Sequence, residues 1–255
     1  MNIIKNFIYF WLKQANAAIF WILLIIWIAI TNLYYPIDFI SRNDFLFLYA
    51  ICIQILLVLL KIETLKEVKI IFIFHFVATI LEIFKTNMWS WEYIWDGFFM
   101  IQNVPLFTGF MYSAVWSYMM RVWRLFDFQF SHFPKLLSLN IFVLFVYINF
   151  FSHHYIYDFR YILLFISLIL FHKSIIYFKV NNKYLKMPLL IWFFLVWLFI
   201  WFAENIATFY SLWQYPNQEN GWELVSFHKI LAWYLLMLLS FCLVTLVQKI
   251  KIFKQ

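Results

Sequence analysis

The sequence predicts an all-α polytopic membrane protein of about eight transmembrane helices, arranged as two parallel four-helix repeats. Three observations carry this reading. Hydrophobic residues make up 66% of the chain and charged residues only 12%, with a mean hydropathy of +0.84, whereas soluble domains sit near a quarter charged. The apolar stretches are continuous rather than alternating, which selects helices over a closed barrel as the way to satisfy backbone polar groups in lipid. Finally, Glu82, Thr86, Trp91, Tyr93 and Tyr112 recur 122 positions later as Glu204, Thr208, Trp213, Tyr215 and Tyr234.

Apolar runs of about 17–25 residues fall near 15–34, 44–60, 69–87, 104–120, 136–152, 160–178, 188–209 and 225–247. The first follows Lys5 and Lys13, and its small-residue cluster of Ala15, Ala17 and Ala18 precedes the apolar run. A cleavage site would follow that run, so this segment reads as an uncleaved signal anchor. The third carries the stripe His75, Thr79, Glu82 and Thr86, and the seventh carries Trp197, Trp201, Glu204 and Thr208 in the same helical phase. In the fourth, Gly109, Ser113 and Ser117 recur every four residues, a spacing that lets helices approach closely. The fifth ends at His153 and His154, the sixth has His172 near its end, and His228 opens the eighth. Cys52 and Cys242 fall inside apolar runs without metal or disulfide spacing and read as packing residues.

The joints are short, so residues 1–255 read as a single transmembrane domain with internal repeats 1–125 and 126–255. Four-helix units return the chain to its starting side, which makes the repeats parallel. Assigning alternate joints to opposite faces puts fifteen Lys and Arg on one of them, including Lys61, Lys135, Lys183, Lys249, Lys251 and Lys254. The other face keeps only Arg42, Lys85, Arg160 and Lys229. The positive-inside rule makes the first face cytoplasmic, with both termini there. The net charge of +7 is thereby an orientation signal, and a nucleic-acid partner has no support. Arg121, Arg124 and Asp127, spaced by three, read as a cytoplasmic ladder with local salt bridging. The outward connections are rich in Trp and Tyr, which gather at membrane interfaces whatever the function.

Carboxylates inside membrane segments are costly and usually face a cavity, a partner or a pathway. Glu82 and Glu204 at matched positions therefore point to one site near the outer leaflet, built by both halves. Two close carboxylates do not both ionise cheaply, which suits acid–base work, proton coupling or a bound cation. The alternative is a pair of structural acids, each satisfied by a neighbour such as Lys85 or Asn205. His75, Lys85 and His228 join the two acids as candidate catalytic groups. The candidate substrate-binding groups are Thr86, Asn87, Trp91, Tyr112, His153, His154, Asp158, Arg160, Asn205, Thr208 and Trp213. Trp91 and Trp213 would wall the mouth, and Asp158 with Arg160 would form a rim or lid. The sequence has no His-x-x-x-His or Glu-x-x-His pair, so any metal would need ligands from separate helices; no metal ligand is assigned, and the cofactor is unknown.

The stretch Glu82–Tyr93, together with Val104–Tyr118 and Arg121–Asp127, resembles an uncharacterised bacterial membrane family, domain of unknown function 817, the YoaT-like proteins. The resemblance covers nearly the whole chain. It implies a multi-span protein of the bacterial inner membrane and carries no activity with it. In plan, the chain is more loosely similar to membrane carotenoid cyclases and hydratases, which are small, helical and internally repeated with acids near helix ends. The cyclases' proline–glutamate–glutamate motif is absent, which puts cyclase activity in doubt. The leading expectation is an intramembrane enzyme acting on a lipid-like or isoprenoid substrate through the paired carboxylates. The alternatives are a small-solute or proton-coupled transporter or binding protein, and a non-catalytic membrane scaffold. Membrane lipid and a lipid-like or small-molecule ligand are the expected partners.

Overall fold

A computed structural model describes residues 2–248 and 250–253. Lys249 and Lys254, which contribute to the charge asymmetry, lie outside the described residues. Among these residues the chain forms nine α-helices: α1 Asn2–Ala17, α2 Ile19–Leu33, α3 Arg42–Leu59, α4 Leu65–Asn87, α5 Phe107–Leu125, α6 Leu136–Ser152, α7 Arg160–Phe171, α8 Leu189–Phe209 and α9 Phe227–Val247. Each of the eight apolar runs coincides with a helix, and α1 is additional. Three helices are long and apolar enough to cross a membrane: Arg42–Leu59, Leu189–Phe209 and His228–Thr245. A fourth is added if Ile4–Ala17 and Ile19–Leu33, broken at Ala18, count together.

The expectation of an all-α fold needs correcting. Short strands β1 (Met100–Ile101) and β2 (Val104–Pro105) pair with each other, and β3 (Gln129–Ser131), β4 (Ile175–Val180) and β5 (Lys183–Pro188) form an antiparallel sheet in that order. The sixth apolar run, extended by the sequence to residue 178, is helical only over the twelve residues of α7. At 1.5 Å per residue that is about 18 Å, against a hydrocarbon core of about 30 Å. Ile175, Ile176, Tyr177 and Phe178 are β-branched or aromatic, the types that fit a pleated surface. Hydropathy alone does not separate such a strand from the end of a helix.

The chain divides into two compact units, which do not follow the halves 1–125 and 126–255. One comprises Met1–Gln14, Val122–Phe202 and Val225–Gln255, and the other Ala15–Arg121 with Ala203–Leu224. The first contains the three-stranded sheet and a core of packed rings, including Trp123, Phe130, Phe171, Phe193 and Phe241. There Asp127 accepts from Lys251 and Tyr184, and these bonds hold its carboxyl below the usual range. Neither Lys251 nor Tyr184 belongs to the expected ladder of Arg121, Arg124 and Asp127. Cys242 is buried as a packing residue, whereas Cys52 is exposed on α3.

In the second unit, α2, α3 and α5 pack Phe20, Leu24, Ala50, Ile53, Leu57, Phe110 and Ala114 together. The start of α4 is fixed by a capping box, in which Thr64 and Glu67 satisfy each other's exposed backbone N–H groups. Ser41 caps α3, and the Asp44 carboxylate accepts the backbone N–H groups of Phe98 and Phe99, both at 2.7 Å. That ties the loop after α4 to the start of α3. The Gly109–Ser113–Ser117 stripe faces the expected third helix: Ser113 donates to the Ile71 carbonyl, Ser117 to Glu63, and Gly109 lies beneath His75. Buried Arg121 bonds Asn16 and the Ile62 carbonyl and lies 3.9 Å from Glu63.

Candidate functional site

Glu82 and Glu204 lie in the same compact unit, both buried, at 1% and 5% exposure. Each sits in the last two turns of its helix, and the two helix ends have the same backbone design. After α4, Trp89 takes a left-handed conformation (φ 53°), with Trp89 N–H on the Thr86 carbonyl and Ser90 N–H on the Lys85 carbonyl. After α8, Ser211 does the same (φ 52°), with Ser211 N–H on Thr208 and Leu212 N–H on Ala207. This is the Schellman stop, with its 6→1 and 5→2 hydrogen bonds. Thr86 and Thr208 each donate to the carbonyl of their glutamate, at 2.9 and 3.0 Å.

The stop turns the chain back so that loop side chains reach the acid. On Glu82, Oε2 accepts from Trp91 Nε1 (2.9 Å) and Tyr93 OH (2.5 Å), while Oε1 accepts from Tyr112 OH on α5 (2.5 Å). On Glu204, Oε2 accepts from Tyr215 OH at 2.7 Å. The two segments then meet: Glu92 and Gln214, themselves 122 apart, exchange both backbone hydrogen bonds (3.0 and 2.9 Å) as an antiparallel bridge. Trp91 and Tyr215 pack edge to face with ring centroids 6.2 Å apart. A donor of one carboxylate thus touches the donor of the other. Burial, reinforced by Glu82, holds the Tyr93 phenol well above its ordinary pKa, so that it stays a neutral O–H donor.

The remaining expected residues fall into two groups. In the same unit, Lys85 is buried with its ammonium 5.9 Å from the Phe84 ring, and Asn205 and Trp213 are buried. Asn87 turns to Gln102, and Trp222 donates to Thr208. The His75 ring packs on Phe110 at 4.3 Å, its Nδ1 buried without a hydrogen-bond partner. The expected His153, His154, Asp158, Arg160 and His228 all belong to the other unit. There Arg160 pairs with Asp158 (2.9 Å) and donates to the His228 carbonyl (2.6 Å), while Tyr161 OH meets His228 Nδ1. Burial pushes the Asp158 carboxyl up, but the Arg160 backbone N–H and guanidinium outweigh it and hold the group below its usual range. The His153 and His154 rings lie tilted against each other, with centroids 4.1 Å apart. Tyr234, the counterpart of Tyr112, lies 3.4 Å from Ser167 there.

Tyr93 and Tyr215 were not among the expected site residues, although the sequence holds their signal: each follows its glutamate by eleven positions. Arg42 was also missed. It counted only as one of four cations on the sparse face, yet it is buried beside the loop that carries Trp91 and Tyr93.

A protein-family model described as "Protein of unknown function (DUF817)" matches residues 6–241. The Bacillus subtilis (strain 168) protein described as "Uncharacterized protein YoaT" is 36% identical over 251 residues, covering 98% of this chain and 95% of that protein. No solved structure matches the chain significantly.

Proposed function

This chain belongs to the DUF817 family, and from its own residues we propose that it is an intramembrane acid–base enzyme acting on a lipid-like or isoprenoid substrate. It crosses the bacterial inner membrane eight times as two parallel repeats with both termini in the cytoplasm, and membrane lipid is its partner. The observation that carries the reading is the pair of buried carboxylates whose phenol and indole donors touch through Trp91 and Tyr215. The three donors on Glu82 fix the orientation of its carboxyl group, which suits it to exchange a proton with a bound substrate. Glu204 serves as the acid of the pair, since two such groups in one low-dielectric site do not both ionise cheaply. Tyr93 and Tyr215 orient the carboxylates through their O–H donors. In support of the repeats stand the matched Schellman stops, the matched tyrosines and the Glu92–Gln214 bridge between equivalent positions.

The test is the lipid profile of cells carrying the wild-type chain, Glu82→Gln or Glu204→Gln, each at matched protein level in the membrane. Loss of the same lipid species in both variants is the expected result. A profile identical to wild type in either variant sinks the enzyme reading.

A second reading, proton-coupled solute transport, draws on the polar groups along the facing sides of α4 and α5: Ser117 on Glu63, Ser113 on the Ile71 carbonyl, His75 against Gly109, and Tyr112 on Glu82. Proteoliposomes with an imposed pH gradient separate the two. Transport predicts proton uptake that Glu82→Gln abolishes, and the enzyme reading predicts none.

A further inference from the structure

Arg42 is 3% exposed at the first turn of α3, and among the described residues no carboxylate lies within ion-pair distance of it. Asp44, two residues on, accepts the Phe98 and Phe99 N–H groups. The guanidinium donates through Nε to Thr31 Oγ1 (3.2 Å) and through Nη2 to the carbonyls of Ile28 (3.0 Å) and Tyr210 (3.3 Å). These bonds bind the ends of α2 and α8, which explains Nε and Nη2. They leave Nη1 buried without a partner and supply no full counter-charge. A buried cation in that state is costly, and the N-terminus of α3 adds positive potential at the same point.

The Trp95 ring lies against the guanidinium, 5.6 Å from Cζ, and is 44% exposed. Its backbone carbonyl accepts from Asn43, and its ring makes an exposed hydrogen bond from Nε1 to the Ser211 carbonyl at 3.1 Å. Phe39, three residues before Arg42, and Phe98, whose N–H bonds Asp44, are 92% and 86% exposed, so exposed aromatic surface lies on segments adjoining the start of α3.

We propose that Arg42, uncovered when Trp95 swings aside, binds the oxyanionic headgroup of an amphiphile, with a phosphate ester as the headgroup chemistry and the apolar chain lying along the exposed aromatic surface. The proposal rests on the enzyme reading for its meaning, since it names the class of substrate: Trp91 and Tyr93 serve Glu82, and Trp95, two residues on, serves Arg42. One loop would register both headgroup and reacting carboxylate.

The test uses the full-length protein in neutral detergent, with dioctanoyl phosphatidic acid, dioctanoylglycerol and inorganic phosphate as separate probes, read by thermal shift and by retention in native mass spectrometry. Phosphatidic acid should bind, and dioctanoylglycerol and inorganic phosphate should bind at least tenfold more weakly. Arg42→Gln should weaken phosphatidic acid about tenfold or more, Arg42→Lys by less, and Trp95→Ala should bind as tightly as wild type or more so. Equal binding by Arg42→Gln and wild type overturns the proposal. So does equal binding of dioctanoylglycerol, which would mark a purely apolar surface, or of inorganic phosphate, which would mark a small-anion site. If Arg42→Gln fails to fold, a tenfold loss in Trp95→Ala overturns the lid, and unchanged binding in Arg42→Lys overturns the guanidinium. An unchanged lipid profile in Glu82→Gln cells, together with Arg42-dependent binding of phosphatidic acid by the chain with Glu82 in place, would refute the enzyme reading and leave this inference standing.

Discussion

The helix end at Glu82 and the helix end at Glu204 share a backbone and differ in what fills it. Both stop in a Schellman turn with a left-handed residue that is not glycine, both bend a threonine back to the glutamate carbonyl, and both place a tyrosine on the acid from eleven residues on. Around that frame the side chains diverge. Tyr112 reaches Glu82, whereas its counterpart Tyr234 lies by Ser167 in the other compact unit. His75 nests against Gly109, whereas the matching pair is Trp197 and Leu231, with Trp197 donating to the Ile230 carbonyl. A backbone device survives divergence because it depends on φ and ψ and on main-chain hydrogen bonds. A side-chain partner is free to change once another group satisfies it.

That contrast is open to attack, beginning with its largest expected effect. Glu82→Ala leaves three buried donors without their acceptor, and at about 1–3 kcal/mol for each orphaned group it should cost about 3 kcal/mol or more. Glu204→Ala removes the acceptor of buried Tyr215 and should cost at least about 1–3 kcal/mol. Denaturant unfolding in micelles measures both, and a loss below about 1 kcal/mol at either site would show that its donors find other acceptors. Next, a Cβ at Gly109 would sit 2.4 Å from His75 Nδ1 and 2.8 Å from the His75 carbonyl oxygen. Gly109→Ala should therefore destabilise by about 1–3 kcal/mol through overpacking. Adding His75→Ala relieves the ring but not the backbone clash, so the double variant should recover only part of the loss. Full recovery would mean that the ring alone sets the fit.

Tyr93→Phe and Tyr215→Phe each delete one phenol hydrogen bond and should each cost about 1 kcal/mol, matching within about 0.5 kcal/mol, the scatter of independent sites. A large inequality would show that the two phenols are not equivalent. The smallest effect concerns the turn itself. Ser211 holds a left-handed conformation that glycine adopts without strain, and Ser211→Gly should stabilise by about 0.5 kcal/mol once the added chain entropy is offset. A loss of stability there would mean that the serine side chain matters more than the backbone.

Much of this was legible before any coordinates. Each of the eight apolar runs holds a helix, the sixth only over Arg160–Phe171, because continuous hydrophobicity favours a segment that satisfies its own backbone. The offset of 122 pointed to both acids, and the same offset contained Tyr93 and Tyr215 for a reader who asked what lay eleven residues on. The strand at Ile175–Val180 was not legible, since an apolar run has the same letters in a helix end as in a buried strand. Arg42 was not legible as a site residue either, because burial of a cation without a carboxylate depends on neighbours from three separate segments.

By itself, then, the sequence determined the chemical class of the molecule, its helical segments and the pair of carboxylates, all of which follow from local composition and spacing. Only the tertiary structure decided which side chains hold those acids, that residues 203–224 join residues 15–121 in one compact unit, and that Glu92 bonds Gln214. These facts depend on distant segments packing together, and no local pattern along the chain encodes which of many aromatic and polar residues will meet.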